Sequence, residues 1–266
     1  MFTAEAIAER VNKIRKENGF PLVPFVIDEI RYDSENDKLF IIARDRSDKS
    51  AIIGNSFVIG KLREELGVKQ VTVYSKLDLL IKQKKLKENL ERIKGTFLEF
   101  LTPIIEAELS FPPRKWPELK VNERALVFLS FNAKAMIGFA EKLGLDAEKV
   151  GLKYTFPKIS YEPIEGSLRE LFYPDEKKLK DIATDKGIEL VIADFPFDLK
   201  FIDDVVLLNP LRFLHIGFFE AKYFFGFEKP VQIDKEAMIN FVVDMVAEGL
   251  MESTDGANLI WWAWKK

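Results

Sequence analysis

Residues 124–155 read RALVFLSFNAKAMIGFAEKLGLDAEKVGLKYT, and the changing period of this stretch decides the fold class. RALVFLS is an unbroken apolar run of strand length, AKAMIGFAEKLGL spaces its apolar residues for a helix, and EKVGLKYT returns to a strand. The alternation continues in DEKKLKDIATDKG (175–187), which predicts a helix, and IELVIAD (188–194), which predicts a strand. Strands alternating with helices predict a parallel sheet joined by right-handed crossovers, and therefore an α/β domain. Farther on, DDVVLLNPLRFLHIGFFEAKYFFGF (203–227) predicts buried helix or strand with a loop near Pro210. DKEAMINFVVDMVAEGLM (234–251) predicts a helix and NLIWWAWKK (258–266) a closing strand.

Upstream, the character is different. AEAIAERVNKIRKEN (4–18) puts Ile7, Val11 and Ile14 at helical spacing, with Gly19 as a stop and Pro21 beyond it. VPFVIDEIRYD and KLFIIARD read as two strands around SEND, where Asn36 and Asp37 tolerate hairpin backbone. SFVIGKLREEL (56–66) predicts a helix closed by Gly67, and VKQVTVYS (68–75) a short strand. The expected order is helix, strand, strand, helix, strand, a small α+β module over residues 1–75. KLDLLIKQKKLKENLERIK (76–94) is an amphipathic helix, and SFPPRKWPELK (110–120) cannot continue it because of its three prolines. Residues 76–118 are therefore read as a helical connector and proline-rich linker, and 119–266 as the α/β domain. Lys82, Lys84, Lys85 and Lys87 form the best local basic patch, although Asp78, Glu88 and Glu91 dilute it and favour an ordinary solvated face.

A chain of 266 residues suits two units. Its 47% hydrophobic and 31% charged residues are a globular balance. The absence of cysteine removes disulfides, thiol catalysis and thiolate metal sites, and a single histidine removes any histidine metal cluster. No apolar run approaches the roughly 18 residues that span a bilayer, and the polar opening is unlike a signal peptide, so no membrane partner and a cytoplasmic location are expected. The formal charge of −3 divides into about +2 over residues 1–118 and about −5 over 119–266. Nucleic-acid binding therefore requires a local patch.

DRSDKSAIIGNSFVIGKLREELGVKQVTVYS (45–75) resembles the KH fold, an RNA-binding family, in its bacterial-style arrangement. In that family a G-x-x-G turn ahead of a helix lets the backbone approach the phosphates of a single strand. Gly54, Asn55, Ser56 and Phe57 occupy the corresponding place, so the second glycine is missing, and Gly60 lies three residues farther on. The resemblance implies RNA contacts at Gly54, Asn55, Ser56, Lys61 and Arg63. A KH-like scaffold whose binding turn has decayed is the other reading.

VFLSFNAKAMIGFAEKLGLDAEKVGLKYT is similar to the opening of the PP-loop ATP pyrophosphatases, of the adenine nucleotide alpha-hydrolase fold. Their S-G-G-x-D-S loop follows the first strand and cradles pyrophosphate on helix-start amides. Here Ser130 keeps the first serine, Phe131 and Asn132 replace both glycines, Ala133 fills the free position, Lys134 replaces the acid and Ala135 the second serine. A KH-like module ahead of such a domain is an archaeal pattern. The resemblance implies a parallel, doubly wound adenine nucleotide alpha-hydrolase-like domain with a degenerate nucleotide loop at Ser130, Phe131, Asn132, Ala133, Lys134 and Ala135. One functional reading is a catalytically degenerate member acting by binding adenine nucleotide, RNA or a protein partner. The alternative is an ATP-dependent adenylating enzyme, conceivably in tRNA modification, with Ser130 and Lys134 at the loop and Asp194 holding magnesium for ATP. A homo-oligomer working through its aromatic C-terminal surface is a third.

Other signals are thinner. Asp194, Asp198, Asp203 and Asp204 follow a strand where an α/β crevice places carboxylates, and helix caps explain them equally well. His215, between Leu214 and Ile216, reads as a core or boundary residue rather than a base. Trp116, Trp261, Trp262 and Trp264, with Phe213, Phe218, Phe219, Phe224 and Phe225, offer a base-stacking platform, but with no basic groove interleaved a core or subunit interface is expected.

Overall fold

The computed structural model describes residues 2–54, 56–119, 121–156 and 159–265, with residues 223 and 224 described by backbone only. The chain divides into two compact units, one of residues 1–84 and 110–114 and the other of 85–109 and 115–266.

The first unit runs α1 (Ala4–Glu17), β1 (Ile27–Asp33), β2 (Lys38–Ala43), α2 (Arg46–Ile53), α3 (Phe57–Leu66), β3 (Gln70–Ser75) and the start of α4 (Lys76–Ile93). The expected sequence of elements lacks α2. This helix is short and carries Arg46, Ser47, Asp48, Lys49 and Ser50 before its first apolar pair, so periodicity gives it no signal. It forms because Asp45 caps it, accepting from the Asp48 amide at 2.9 Å, and because Ile52 and Ile53 reach the core. The three strands lie in the order β1-β2-β3, antiparallel and then parallel, with Ile41 opposite both Ile30 and Val73. Strand period 2 gives β2 two buried faces. Leu39, Ile41 and Ala43 join Ile7, Val11 and Ile14 of α1, Ile52 of α2 and Leu62 of α3 in one core. Phe40 instead meets Phe111, 5.6 Å away, which returns from the proline-rich segment and also touches Tyr74. The turn after β1 is made by Asp33, which accepts from the Glu35 and Asn36 amides, while Asp37 takes the left-handed φ of 52°. Strand β1 starts at Ile27, so residues 23–26 of the predicted strand are irregular.

The second unit contains the remainder of α4, a 3-10 turn at Phe97–Leu101, α5 (Thr102–Leu109), β4 (Arg124–Leu129), α6 (Ala133–Lys142), β5 (Asp146–Leu152), β6 (Glu162–Ile164), α7 (Glu176–Asp185), β7 (Leu190–Ile192), β8 (Leu199–Ile202), β9 (Val205–Leu208), α8 (Pro210–Phe213), α9 (Phe218–Phe225), α10 (Lys235–Ala247) and α11 (Ser253–Trp264). It is an α/β fold. Its six strands are ordered β6-β5-β4-β7-β9-β8, parallel except for β8, which pairs antiparallel with β9. The chain builds outward from β4 to β5 and β6, then crosses back to β7 and β9, so strand order reverses at β4 and β7. Right-handed crossovers then put α6, packed on β4 and β5, and α7, packed on β7 and β9, on opposite faces, compatible with a doubly wound arrangement. Strands β4 and β7 are buried almost throughout, as a sheet covered on both faces requires.

Two expectations are corrected here. Pro210 opens α8 rather than a loop, because Asn209 caps that helix, accepting from the Leu211 amide at 3.1 Å, and proline suits the first helical position. Residues 258–264 belong to helix α11, not to a strand. Their aromatic β-propensity yields to docking on α10, where Gly256 lets the backbone approach so closely that an added Cβ would stand 2.6 Å from Val242.

Candidate functional site

The reversal of strand order marks the crevice at the carboxyl ends of β4 and β7 as the place where an α/β sheet offers a site. Ser130 directly follows β4, Asp194 follows β7 by two residues, and Asn209 directly follows β9, so three neighbouring strands deliver these side chains to one edge. All three are buried. The Ser130 hydroxyl donates to Asp194 Oδ2, and Asn132 Nδ2 donates to Asp194 Oδ1 at 3.3 Å, so each carboxylate oxygen has a donor. Burial raises the Asp194 carboxyl above the usual carboxylate range, opposed by its bonds to Ser130 and Asn132. Asn209 Nδ2 donates to the Phe195 carbonyl at 2.8 Å and fixes the turn after Asp194.

The backbone amides of the loop are used inside the protein. The Ser130 amide donates to the Phe128 carbonyl (3.0 Å), that of Phe131 to the Leu171 carbonyl (3.0 Å), and that of Ala133 to the Ser130 carbonyl (3.1 Å). The Asn132 amide donates to the Ser130 hydroxyl at 3.3 Å. A pyrophosphate cradle needs such amides free. Phe131 is fully buried among Phe172, Phe218, Phe227 and Phe241, with its ring centroid 4.9 Å from Phe172 and 5.1 Å from Phe227. Ala133 and Ala135 are core residues. Lys134 pairs with Glu228 at 3.1 Å and lies against Gly226. Of the six loop positions, the fold therefore brings Ser130 and Asn132 onto Asp194 and uses the others for packing or a separate ion pair. With four amides engaged, this arrangement does not fit a triphosphate.

The other carboxylates do not converge on Asp194. Asp198 accepts from Arg92 at 3.0 Å and from the Leu199 amide, and Asp203 sits in the β8–β9 turn at a φ of 52°, paired with Lys180 at 2.8 Å. Among the described residues no group of three His, Asp or Glu is arranged to hold a metal ion. Both oxygens of Asp194 are already engaged by Ser130 and Asn132 and burial favours its protonated form, so the residues present do not fit a magnesium centre there.

Sequence reasoning missed Arg212. This residue, 3% exposed, makes an ion pair with Glu248 through Nη1, while its buried Nε has no hydrogen-bond partner among the described residues. Burial pulls its guanidinium below the ordinary arginine value, and Asp194 and Asp244 oppose that pull. NPLR after the VVLL strand carried the available signal, a capping Asn and a first-turn Pro that place Arg212 at a helix start beside the sheet edge.

In the first unit, the turn between α2 and α3 begins at Gly54, whose φ is 53° and where an added Cβ would stand 2.3 Å from Val58 Cγ2. Only glycine fits there. Arg15, 6% exposed, lies beneath the turn and donates to the carbonyls of Ala51 (2.6 Å) and Pro21 (2.8 Å). Asn55 lies outside the described residues. Ser56 takes a φ of 60°, and Phe57, in place of a second glycine, leans on Phe20 with ring centroids 5.6 Å apart. Lys61 pairs with Glu64 at 3.0 Å, Arg63 is exposed, and Arg46 and Lys49 both bond Asp78. On α4, Lys82 is buried and Lys85 lies 4.0 Å from Asp198, so Lys82–Lys87 is not one open basic stripe.

No protein-family model, curated protein or solved structure matches this chain. Among the described residues, no helix is long and apolar enough to cross a membrane.

Proposed function

We propose that this chain is a PP-loop ATPase-like protein with a KH-like N-terminal unit, that its phosphate loop no longer holds nucleotide, and that it works by binding single-stranded RNA. The observation that carries the loss of nucleotide binding is the engagement of the amides of residues 130–133 within the protein. With Phe131 filling the core beside them, these amides offer a phosphate no free donor.

The KH-like part of the reading is supported by a glycine turn between two helices in a three-stranded α+β unit. The PP-loop-like part is supported by a Ser-led loop at the carboxyl end of the strand where a mostly parallel sheet reverses its order. The adenylating-enzyme alternative needs Lys134 and Asp194 together at an open loop. Lys134 instead pairs with Glu228, and Asp194 lies under Ser130 and Asn132.

The test is parallel titration of the native chain with single-stranded RNA and with magnesium-ATP. RNA binding that weakens with salt, and weakens further in Lys61→Glu/Arg63→Glu, is the expected result. Release of pyrophosphate from ATP by the native chain, with or without bulk tRNA, overturns it.

A further inference from the structure

Three of the chain's four tryptophans lie on α11, and two of them face outward, Trp261 with 59% and Trp264 with 55% of its surface exposed. Large aromatic side chains are ordinarily buried for most of their area. The packing of α11 does not require these rings, because Gly256, Leu259 and Ala263 supply its buried face.

The fold adds the cations that the linear sequence does not interleave. Lys265 Nζ stands 3.8 Å from the Trp261 ring centroid, Lys235 of α10 stands 5.5 Å from that of Trp264, and Lys229, from the segment before α10, stands 3.9 Å from that of Trp262. Lysines from separate places in the chain thus stand over the two outward indoles, and a third over the half-buried Trp262, in the half of the sequence that carries about −5 overall. Two of the carboxylates close in sequence to these lysines are engaged elsewhere. Glu228 holds Lys134 at 3.1 Å and Asp234 caps α10 by accepting from the Ala237 amide at 2.9 Å, leaving Glu236 exposed beside Lys235.

We infer that this face binds single-stranded nucleic acid, with the outward indoles stacking on unpaired bases and the lysines meeting phosphates. The inference rests on the RNA-binding reading above and gives it a contact surface in the second unit. Planar rings beside flexible cations match a base followed by its phosphate. Trp261 and Trp264, three residues apart, stand on successive helical turns, within reach of adjacent nucleotides of one strand. A lipid surface fits less well, because the other outward residues of α11 are Ser253, Thr254, Ala257 and Asn258, so this helix carries no full apolar stripe to insert. A second copy of the chain fits less well too, because a two-fold contact centred on this face would set its lysines against the same lysines of the other copy.

The test is fluorescence anisotropy of the full chain with a labelled uridine-rich single strand across a salt series. The native chain is compared with Trp261→Ala/Trp264→Ala, Lys235→Ala/Lys265→Ala and Lys61→Glu/Arg63→Glu, each with its melting temperature checked. The tryptophan pair, at about 1–3 kcal/mol per stacked base, is expected to weaken binding about 30-fold or more, and the lysine pair to flatten the salt slope by roughly 1.4. RNA should also quench the intrinsic tryptophan fluorescence of the native chain. Native affinity in the tryptophan variant, with loss in Lys61→Glu/Arg63→Glu, overturns the inference and leaves the RNA reading standing. No binding by the native chain overturns both. Tryptophan-dependent binding to phosphatidylserine vesicles, or a tryptophan-dependent dimer, in place of RNA binding also overturns the inference.

Discussion

The Ser130 hydroxyl donates to Asp194 Oδ2 across the two strand ends where the order of the sheet reverses. The bond joins β4 to β7 at the strand ends where an open α/β sheet offers a crevice, and it turns that crevice into a buried polar clasp. Ser130→Ala removes one of the donors to a fully buried carboxylate. It is expected to cost about 1–3 kcal/mol in unfolding free energy, measured by denaturant titration at neutral pH.

Asp194 also sets a pH dependence with a definite sign. Burial raises its pKa in the folded chain, so the native state binds the proton more tightly than the unfolded state. The stability tied to this proton is fully present below the unfolded carboxylate pKa and is lost as pH rises toward the folded value. Asp194→Asn lacks that dependence. Relative to the native chain, the variant should therefore gain stability as pH rises above the ordinary carboxylate range. A stability difference that stays constant with pH contradicts the assignment.

Asp78 in the first unit has the opposite sign. Burial pushes its carboxyl up, but Lys49, at 2.8 Å, together with Ser75 and Arg46 outweighs that and holds the pKa below the ordinary value. Its stabilisation is present above the unfolded pKa and disappears as pH falls through the folded one. Asp78→Asn should be destabilising by about 1–3 kcal/mol at neutral pH, and the deficit should vanish in acid. Urea melts of both proteins across the acidic range check this.

Phe131→Ala tests whether the loop residue is part of the core. It removes a fully buried ring from an aromatic cluster, and a loss of about 3–5 kcal/mol is expected. A near-neutral change would mean the ring does not fill the place a ligand would need.

Two glycines should respond in opposite directions. Gly54→Ala forces a left-handed backbone and a close contact with Val58, and is expected to cost at least about 1–2 kcal/mol. Gly60, inside α3 with nothing within 4 Å of an added Cβ, should gain about 0.5–1 kcal/mol on changing to alanine. Thermal melts of the two variants separate a turn that demands glycine from a helix that only tolerates it.

The sequence carried the layered α/β pattern because α6 and α7 each bury one apolar face, which leaves a periodic trace, and β4, buried on both faces, leaves an unbroken apolar run. It did not carry α2, whose first five residues are polar and charged and whose stability comes from the Asp45 cap and two terminal isoleucines. It misassigned residues 258–264, where three tryptophans favour a strand locally and contact with α10 decides for a helix. At the candidate site, the loop residues were visible as a motif, but the engagement of their amides was not, since the Phe131 amide bonds Leu171, which is distant in sequence. The lysines over the α11 indoles were equally hidden, because Lys229 and Lys235 reach Trp262 and Trp264 only through the fold.

The closed state of the loop is tested most directly by hydrogen–deuterium exchange over residues 128–136, with and without magnesium-ATP. Amides of residues 130–133 that are slow to exchange without nucleotide, and unchanged when it is added, are the predicted result. Fast exchange at these amides that becomes slow on addition of magnesium-ATP would show a working phosphate cradle and contradict the account.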